Sequence, residues 1–287
     1  MANSIRPPAA IAVLGGGNMG SGIAQACAQA GFSVRVRDVD SSAIERGRGL
    51  LERMLQGAID RKKMTPAKRD DLLGRIRFTT DLAEAVRDAR LVIEAVFEDE
   101  EVKRRLFADL APLVAPETIV ATNTSSFSVS VLGEGFPLPG RFAGLHFFFP
   151  AAINKLVEIV GGPATDRGTL DELERFCYLL RKIPIETADR AGFCVNRYFV
   201  PLGGRRLAAG DRPFEGLLDE RPAPGDGRRV DVPDPNDEAG LRARLRDPAA
   251  HRPPAEHGDD RRRPDRTLHG RLGRGQGPRP SGSRPGY

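Results

Sequence analysis

The first two hundred residues predict an α/β domain built on a mostly parallel sheet. Short apolar runs of strand length alternate with longer segments of helical period. A glycine cluster stands at the first strand-to-helix junction, and an aspartate closes the second strand. Strand, helix, strand, helix in this order is the pattern of a parallel sheet with helices on its faces.

Ile11-Ala12-Val13-Leu14 lies between a proline pair and the glycine cluster and is wholly apolar, as buried parallel strands are. Residues 19–30 are rich in Ala, Gln and Ile and stop at Gly31, a helix with a glycine end signal. Residues 33–37 alternate and end at Asp38, giving a second strand. Residues 41–63 carry a long helical pattern opened by a serine cap, with Ile44, Leu50, Leu51, Met54, Leu55 and Ile59 as its apolar face. Residues 91–93 and 119–121 are further buried strands, with a charged helix over 100–113 between them. Residues 142–148 and 156–160 follow as strands, 171–180 as a helix and 183–187 as one more strand. Residues 193–201 begin an apolar segment that is then cut off, and no internal repeat is present.

Composition puts a seam after Leu202. Residues 1–202 hold 26 Lys+Arg against 25 Asp+Glu; residues 203–287 hold 18 Arg, no Lys and 14 Asp+Glu. That second stretch also has 14 Gly and 12 Pro, a single Phe and no Ile. Too little apolar surface is available there to offset chain entropy. Residues 1–202 are therefore expected to form the globular domain and 203–287 a low-complexity, largely disordered tail. Cys27, Cys177 and Cys194 are too few and too scattered for a disulfide framework, which points to a reducing, cytoplasmic setting. No apolar run approaches the ~20 residues of a membrane span, and residues 1–10 read as a short leader, not a signal peptide. Arg and Asp are interspersed in the tail, so its positive charge does not argue for a nucleic-acid partner. Neither a membrane nor a metal site is expected.

Gly15-Gly16-Gly17-Asn18-Met19-Gly20 contains G-x-G-x-x-G, following a strand and opening a helix. Gly15 permits the tight turn, Gly17 lets the backbone approach a pyrophosphate, and Gly20 lets the helix pack closely. The helix start then offers N–H groups and a positive dipole end to phosphate. Asp38, 18 residues beyond Gly20, can accept both ribose hydroxyls of an adenosine and would repel a 2′-phosphate. The cofactor expected is NAD, with Arg37 as the feature that would favour its 2′-phosphorylated form.

Of four histidines, only His146 lies in the globular part. Oxidising a hydroxyl needs a base for its proton, and His is the commonest. Glu158, twelve residues later inside the apolar run Leu156-Val157-Glu158-Ile159-Val160, needs a partner if buried. An imidazole oriented by that carboxylate would satisfy both groups; a strand-end His and an exposed strand Glu are the alternatives.

Laid end to end, IAVLGGGNMGSG (11–22), LVIEA (91–95), ATNTSS (121–126), RFAGLHFF (141–148), KLVEIV (155–160) and AGFCVNRYFVP (191–201) resemble the L-3-hydroxyacyl-CoA dehydrogenase family. The likeness runs from about Ile11 to Leu202. It implies a Rossmann-like NAD domain, followed in the family by a helical domain that dimerises and helps to cover the substrate. The resemblance makes His146 the base for the 3-hydroxyl of a 3-hydroxyacyl-CoA and Glu158 its partner. It places Ser125 and Asn196 beside the reacting oxygen; Glu98, Lys103 and Asn123 by the cofactor; and Lys62, in Arg61-Lys62-Lys63, near CoA phosphates. One departure stands in the site: Phe149 occupies a position where the family usually has Asn.

The likeness stops where the compositional seam lies. The Arg-, Pro- and Gly-rich stretch that follows is what a GC-rich coding sequence yields when read out of frame. A frameshift in place of the helical domain is the expectation, with a genuine Arg-rich tail as its rival. Such a chain is expected to bind NAD, turn over poorly and fail to dimerise normally. A relative acting on a free hydroxy acid, and a non-catalytic NAD-binding remnant, are the alternative functions.

Overall fold

The computed structural model describes residues 5–197. The expected domain boundary at Leu202 and the whole of the tail lie outside the described residues. Within them, eight strands form one sheet in the order β3-β2-β1-β4-β5-β6-β7-β8. The strands are β1 (Ala10–Leu14), β2 (Ser33–Arg37), β3 (Ile76–Thr79), β4 (Ala89–Glu94), β5 (Ile119–Thr122), β6 (Phe142–Phe147), β7 (Leu156–Gly161) and β8 (Ile183–Ala188). Every neighbouring pair is parallel except β6 and β7.

The helices are α1 (Asn18–Gln29), α2 (Ser41–Asp60), α3 (Pro66–Gly74), α4 (Leu82–Val86), α5 (Glu100–Leu110), α6 (Val129–Leu132) and α7 (Arg167–Leu179). Alternating strand residues feed two cores, as the pleat requires. Ile11 and Val13 join Ile23, Leu51 and Phe176 on the face carrying α1, α2 and α7. Ala12 and Leu14 join Leu106, Phe107 and Leu132 on the face carrying α4, α5 and α6. This Rossmann-like architecture matches the fold class read from the sequence.

Several local readings need correction. The cap of α2 is Asp40, not Ser41: its side chain accepts from the Ala43 amide at 2.8 Å. The carboxylate one residue earlier reaches the free N–H better than the serine does. The helix ends at Asp60, short of Lys63, and its fully buried stripe is Ala43, Gly47, Leu51 and Leu55, while Ile44, Leu50, Met54 and Ile59 are half-buried. The first turns of the helix bury small residues because its backbone runs close to the glycine turn. A Cβ on Gly47 would lie 2.7 Å from the Gly16 carbonyl. The charged helix stops at Leu110 and continues as a 3₁₀ turn over Ala111–Leu113, where Pro112 cannot donate to the helical ladder. The last helix begins at Arg167, four residues before Asp171. Residues 66–86, left unassigned by the sequence, form α3, the edge strand β3 and α4.

Two features of this topology position a site. The order reverses between β1 and β4, and such switch points open a crevice at the carboxyl ends of the strands. β6 runs parallel to β5, so its carboxyl end, carrying His146, lies at the same side of the sheet as that crevice.

Candidate active site

At the end of β1 the chain turns through Gly15 with φ +103°, a conformation that disfavours any side chain. A Cβ there would press on the Ala95 carbonyl at 2.5 Å. Gly20 faces the Gly15 carbonyl so closely that a Cβ would overlap it. Gly17 is different, because a Cβ there would meet nothing within 4 Å. It looks into open space at the start of α1, whose first turn has no side-chain cap. The three glycines therefore do separate work. Two let the turn and helix close on each other, and one leaves room, beside unpaired N–H groups, for an anion.

The crevice holds a cleft of about 980 Å³ lined by Gly15, Gly17, Asp38, Val96 and Glu98 among others. Asp38 sits on its wall, and its carboxylate accepts from the Gly16 amide at 2.8 Å and from its own neighbour Val39 at 2.7 Å. The remaining lone pairs can take ribose hydroxyls. Arg37 donates through Nε to the Thr80 carbonyl at 3.3 Å, which draws that side chain toward backbone. Room at Gly17, an uncapped helix start and an acidic wall at Asp38 together fit a dinucleotide such as NAD.

A second cavity, of about 290 Å³, shares Met19, Ala95, Val96 and Glu98 with the first and adds Asn123, Ser125 and His146. His146 and Glu158 are directly opposite in the antiparallel β6–β7 pair. Residues so placed point to the same face with short Cβ separation, which explains how a twelve-residue spacing yields a contact. His146 Nδ1 meets Glu158 Oε2 at 2.7 Å, with Glu158 fully buried and His146 5 % exposed. Glu158 Oε1 also accepts from the amides of Val195 (2.8 Å) and Cys194 (3.0 Å). Burial alone would raise the Glu158 carboxyl, but the His146 hydrogen bond and these two amides outweigh it and hold it below the usual carboxylate range. An ionised carboxylate only accepts, so Nδ1 donates, and a ring carrying that single proton has Nε2 as its acceptor. The rings of Phe148 and Phe193 lie 4.4 and 5.7 Å from the imidazole and limit its movement.

The other expected residues converge on the same place, with one exception. Ser125 lines the second cavity, and its carbonyl accepts from Asn196 Nδ2 at 3.3 Å. Asn123 also lines it and turns Oδ1 to the Phe147 amide at 2.8 Å, fixing the strand end that carries His146. Glu98 borders both cavities. Its Oε1 accepts from the hydroxyls of Thr124 (2.5 Å) and Ser126 (3.0 Å) and from the Ser125 amide (2.9 Å). Burial pushes Glu98 up, but Thr124, Lys103 and the Ser125 amide together hold it below the usual range. Lys103 is 1 % exposed and bridges Glu94 (2.6 Å) and Glu98 (3.2 Å), while Glu100 and Glu101 before it are exposed. Lys62 alone stands apart. It is exposed in the turn after α2, with φ 57°, and lines neither cavity.

Phe149 is two-thirds exposed and borders the second cavity where the family resemblance calls for Asn. It offers the cavity an apolar rim and no hydrogen bond.

Sequence reasoning passed over Glu94. Fully buried at the end of β4, it accepts from Lys103, from Thr122 Oγ1 at 2.6 Å and from the Val96 amide at 2.8 Å. A charge closing an apolar strand was the available signal. Lys182, 4 % exposed, was passed over too. Its Nζ donates to the carbonyls of Ala151 and Asn154, both at 2.6 Å, and burial pulls its pKa down to about 8. It ties down the turn that follows Phe148 and Phe149. Among the described residues no group of three or more His, Cys, Asp or Glu could hold a metal ion, and no helix is long and apolar enough to cross a membrane.

Residues 10–190 match the sequence family described as 3-hydroxyacyl-CoA dehydrogenase, NAD binding domain. A 3-hydroxybutyryl-CoA dehydrogenase of Mycobacterium tuberculosis is 40 % identical over 193 residues, which cover 67 % of each chain. A probable 3-hydroxybutyryl-CoA dehydrogenase of Deinococcus radiodurans is 39 % identical over 190 residues, 66 % of this chain and 68 % of the relative. Among solved structures, the (S)-3-hydroxybutyryl-CoA dehydrogenase of Ralstonia eutropha superposes with a TM-score of 0.67 at 32 % identity, covering 70 % of this chain and 72 % of that one.

Proposed function

We propose that this chain, which belongs to the 3-hydroxyacyl-CoA dehydrogenase family, is an oxidoreductase that oxidises the 3-hydroxyl of an L-3-hydroxyacyl-CoA to the ketone with NAD. The observation that carries the reading is the 2.7 Å hydrogen bond between Glu158 and His146, whose ring lines a cavity that shares Met19, Ala95, Val96 and Glu98 with the nucleotide cleft.

Gly15, Gly17 and Gly20 would shape the seat of the pyrophosphate, and Asp38 would hold the adenosine ribose. When bound, NAD supplies the hydride acceptor. Accepting the proton falls to the protein. His146 Nε2 takes the hydroxyl proton, and the positive charge that develops on the ring is met by Glu158, which its two backbone amides keep ionised. Ser125 and Asn196 would stand beside that oxygen, where a hydroxyl and a carboxamide can follow its change from hydroxyl to carbonyl. Glu98 and Asn123 would border the nicotinamide end. Lys62 is exposed enough to meet CoA phosphates. Buried, unpaired Cys27 and Cys177 suit a reducing cytoplasm.

In the same reading, residues 203–287 differ in composition from the helical domain that the family resemblance implies there, and a substrate cleft without that domain would lack a wall. The chain then binds NAD, fails to dimerise normally and turns over slowly. The test is NADH consumption by the purified full chain with acetoacetyl-CoA, followed under single-turnover conditions. The expected result is a slow oxidation, absent in His146→Gln and absent with free acetoacetate. NADH binding with no oxidation at saturating acetoacetyl-CoA would leave only a nucleotide-binding remnant.

A further inference from the structure

The end of β8 leads into a segment with an unusual density of contacts to the catalytic pair. Within four consecutive residues, Phe193 packs its ring near His146, Cys194 and Val195 give their amides to Glu158, and Asn196 gives its carboxamide to the Ser125 carbonyl. Residues 191–194 form a tight turn, and residues 195–197 are helical. Gly192 and Phe193 both have positive φ, the Phe193 amide donates to Arg190, and the Arg197 amide donates to Gly192. Such a turn holds its shape locally, but something must fix where it sits.

That anchor is Asp189. Its carboxylate accepts from the Val129 and Ser130 amides (2.8 and 2.9 Å) and from the Ser128 and Ser130 hydroxyls (2.9 and 2.5 Å). All four donors lie at the start of α6, which follows the Ser125 loop directly. Capping does not explain the arrangement. Helix α6 is four residues long and already has Ser128 as its cap. A carboxylate sixty positions away joins two parts of the site: the loop bearing Ser125 and the turn facing Glu158. Burial would raise the Asp189 carboxyl, yet the Ser130 hydroxyl and the three other donors hold it below its ordinary value, so it is ionised wherever the enzyme is folded and neutral.

We propose that Asp189 is a positioning residue of this dehydrogenase, a latch that holds the 189–197 turn on α6 so that the Cys194 and Val195 amides stay on Glu158 and Asn196 stays on Ser125. The proposal rests on the dehydrogenase reading for its consequence in turnover, though not for the latch itself. Displacements of about an ångström at a reacting centre cost on the order of 10²-fold in rate.

The test compares full-length wild type, Asp189→Asn and the milder Ser130→Ala, which removes one of the four bonds and touches only an exposed side chain. Amide hydrogen exchange reads the latch directly. Protection at Cys194 and Val195 is expected to fall at least about tenfold in Asp189→Asn and by less in Ser130→Ala, with β6 and β7 unchanged. Cys194 is the one exposed cysteine among the three, so its reaction rate with an aromatic disulfide reagent should rise in parallel. The single-turnover rate should fall about 10- to 100-fold in Asp189→Asn, while the NADH dissociation constant stays as in wild type. A role in folding alone would move binding and turnover together. Unchanged protection at 194 and 195 overturns the latch, and lost protection with unchanged turnover overturns its role in positioning. If Asp189→Asn does not fold, Ser130→Ala decides by the same two readings. A wild type without turnover strikes the dehydrogenase reading alone, and the exchange comparison still decides the latch.

Discussion

Replacing Glu158 by Gln removes one charge and keeps the shape of a fully buried side chain. The carboxamide oxygen can still accept from the Cys194 and Val195 amides, which bind Oε1 at 3.0 and 2.8 Å. Its NH₂ then faces His146 Nδ1, where Oε2 stood at 2.7 Å. Two donors cannot share a hydrogen bond, so Nδ1 becomes the acceptor and the ring proton moves to Nε2, the atom that should take the substrate's proton. The imidazolium formed in the reaction also loses its counter-charge. With charge centres roughly 4 Å apart and an effective dielectric near 20, that attraction is about 4 kcal/mol. Some remains through the neutral amide, so a loss of about 10²- to 10³-fold in the single-turnover rate is expected. NADH affinity, read by fluorescence titration, should not change, because Glu158 lines neither cavity. A rate for Glu158→Gln within about tenfold of wild type would refute the reasoning that the carboxylate sets the tautomer and balances the charge.

Other outcomes follow from the same geometry. Gly17→Ala should keep wild-type thermal stability yet weaken NADH binding about tenfold or more, since its methyl group enters open space that the pyrophosphate needs; Gly20→Ala should instead lower the melting temperature, because its methyl group overlaps the Gly15 carbonyl. Asp38→Ala should cut kcat/KM for NAD by about 10- to 100-fold and narrow the preference over the 2′-phosphorylated cofactor, with Arg37 left to meet the added charge. Acid should destabilise the fold through Glu98, Glu158 and Asp189. Their folded values lie below the ordinary 4.5, 4.5 and 3.8, so what they contribute is full above those values and is lost as pH falls through the depressed ones. Urea midpoints between about pH 6 and 3 should show this fall, flatter in Glu158→Gln; an equal slope in that variant would contradict the assignment.

The sequence exposed what depends on local pattern and hid what depends on contact at a distance. β2 came out at its observed bounds from its alternation, and β1, β4, β5, β6 and β7 within a residue or two, because buried strands are short, largely apolar runs. α3, β3 and α4 were missed since an edge strand such as Ile76–Thr79 is short and half exposed, and α4 spans five residues. His146 was legible by elimination, and Glu158 by its charge inside an apolar run. Their pairing needed the antiparallel register of β6 and β7, which the sequence does not display. Glu94 and Asp189 were invisible as functional residues. Their partners lie as far as 28 and 61 positions away in sequence; the charge closing β4 marks Glu94 as unusual without naming its partners, and nothing local marks Asp189. The family resemblance supplied Ser125, Asn196, Glu98, Lys103 and Asn123; four of them line one or both cavities, and Asn196 reaches the site through its hydrogen bond to the Ser125 carbonyl.

The proposed chemistry stands on His146 facing bound substrate across from the nucleotide. A structure of the full chain with NAD and acetoacetyl-CoA measures this directly. It should place the C3 oxygen roughly 3 Å from His146 Nε2, with the dinucleotide phosphates over Gly17. A C3 oxygen out of hydrogen-bond reach of that nitrogen, or phosphates elsewhere than the glycine turn, would contradict it.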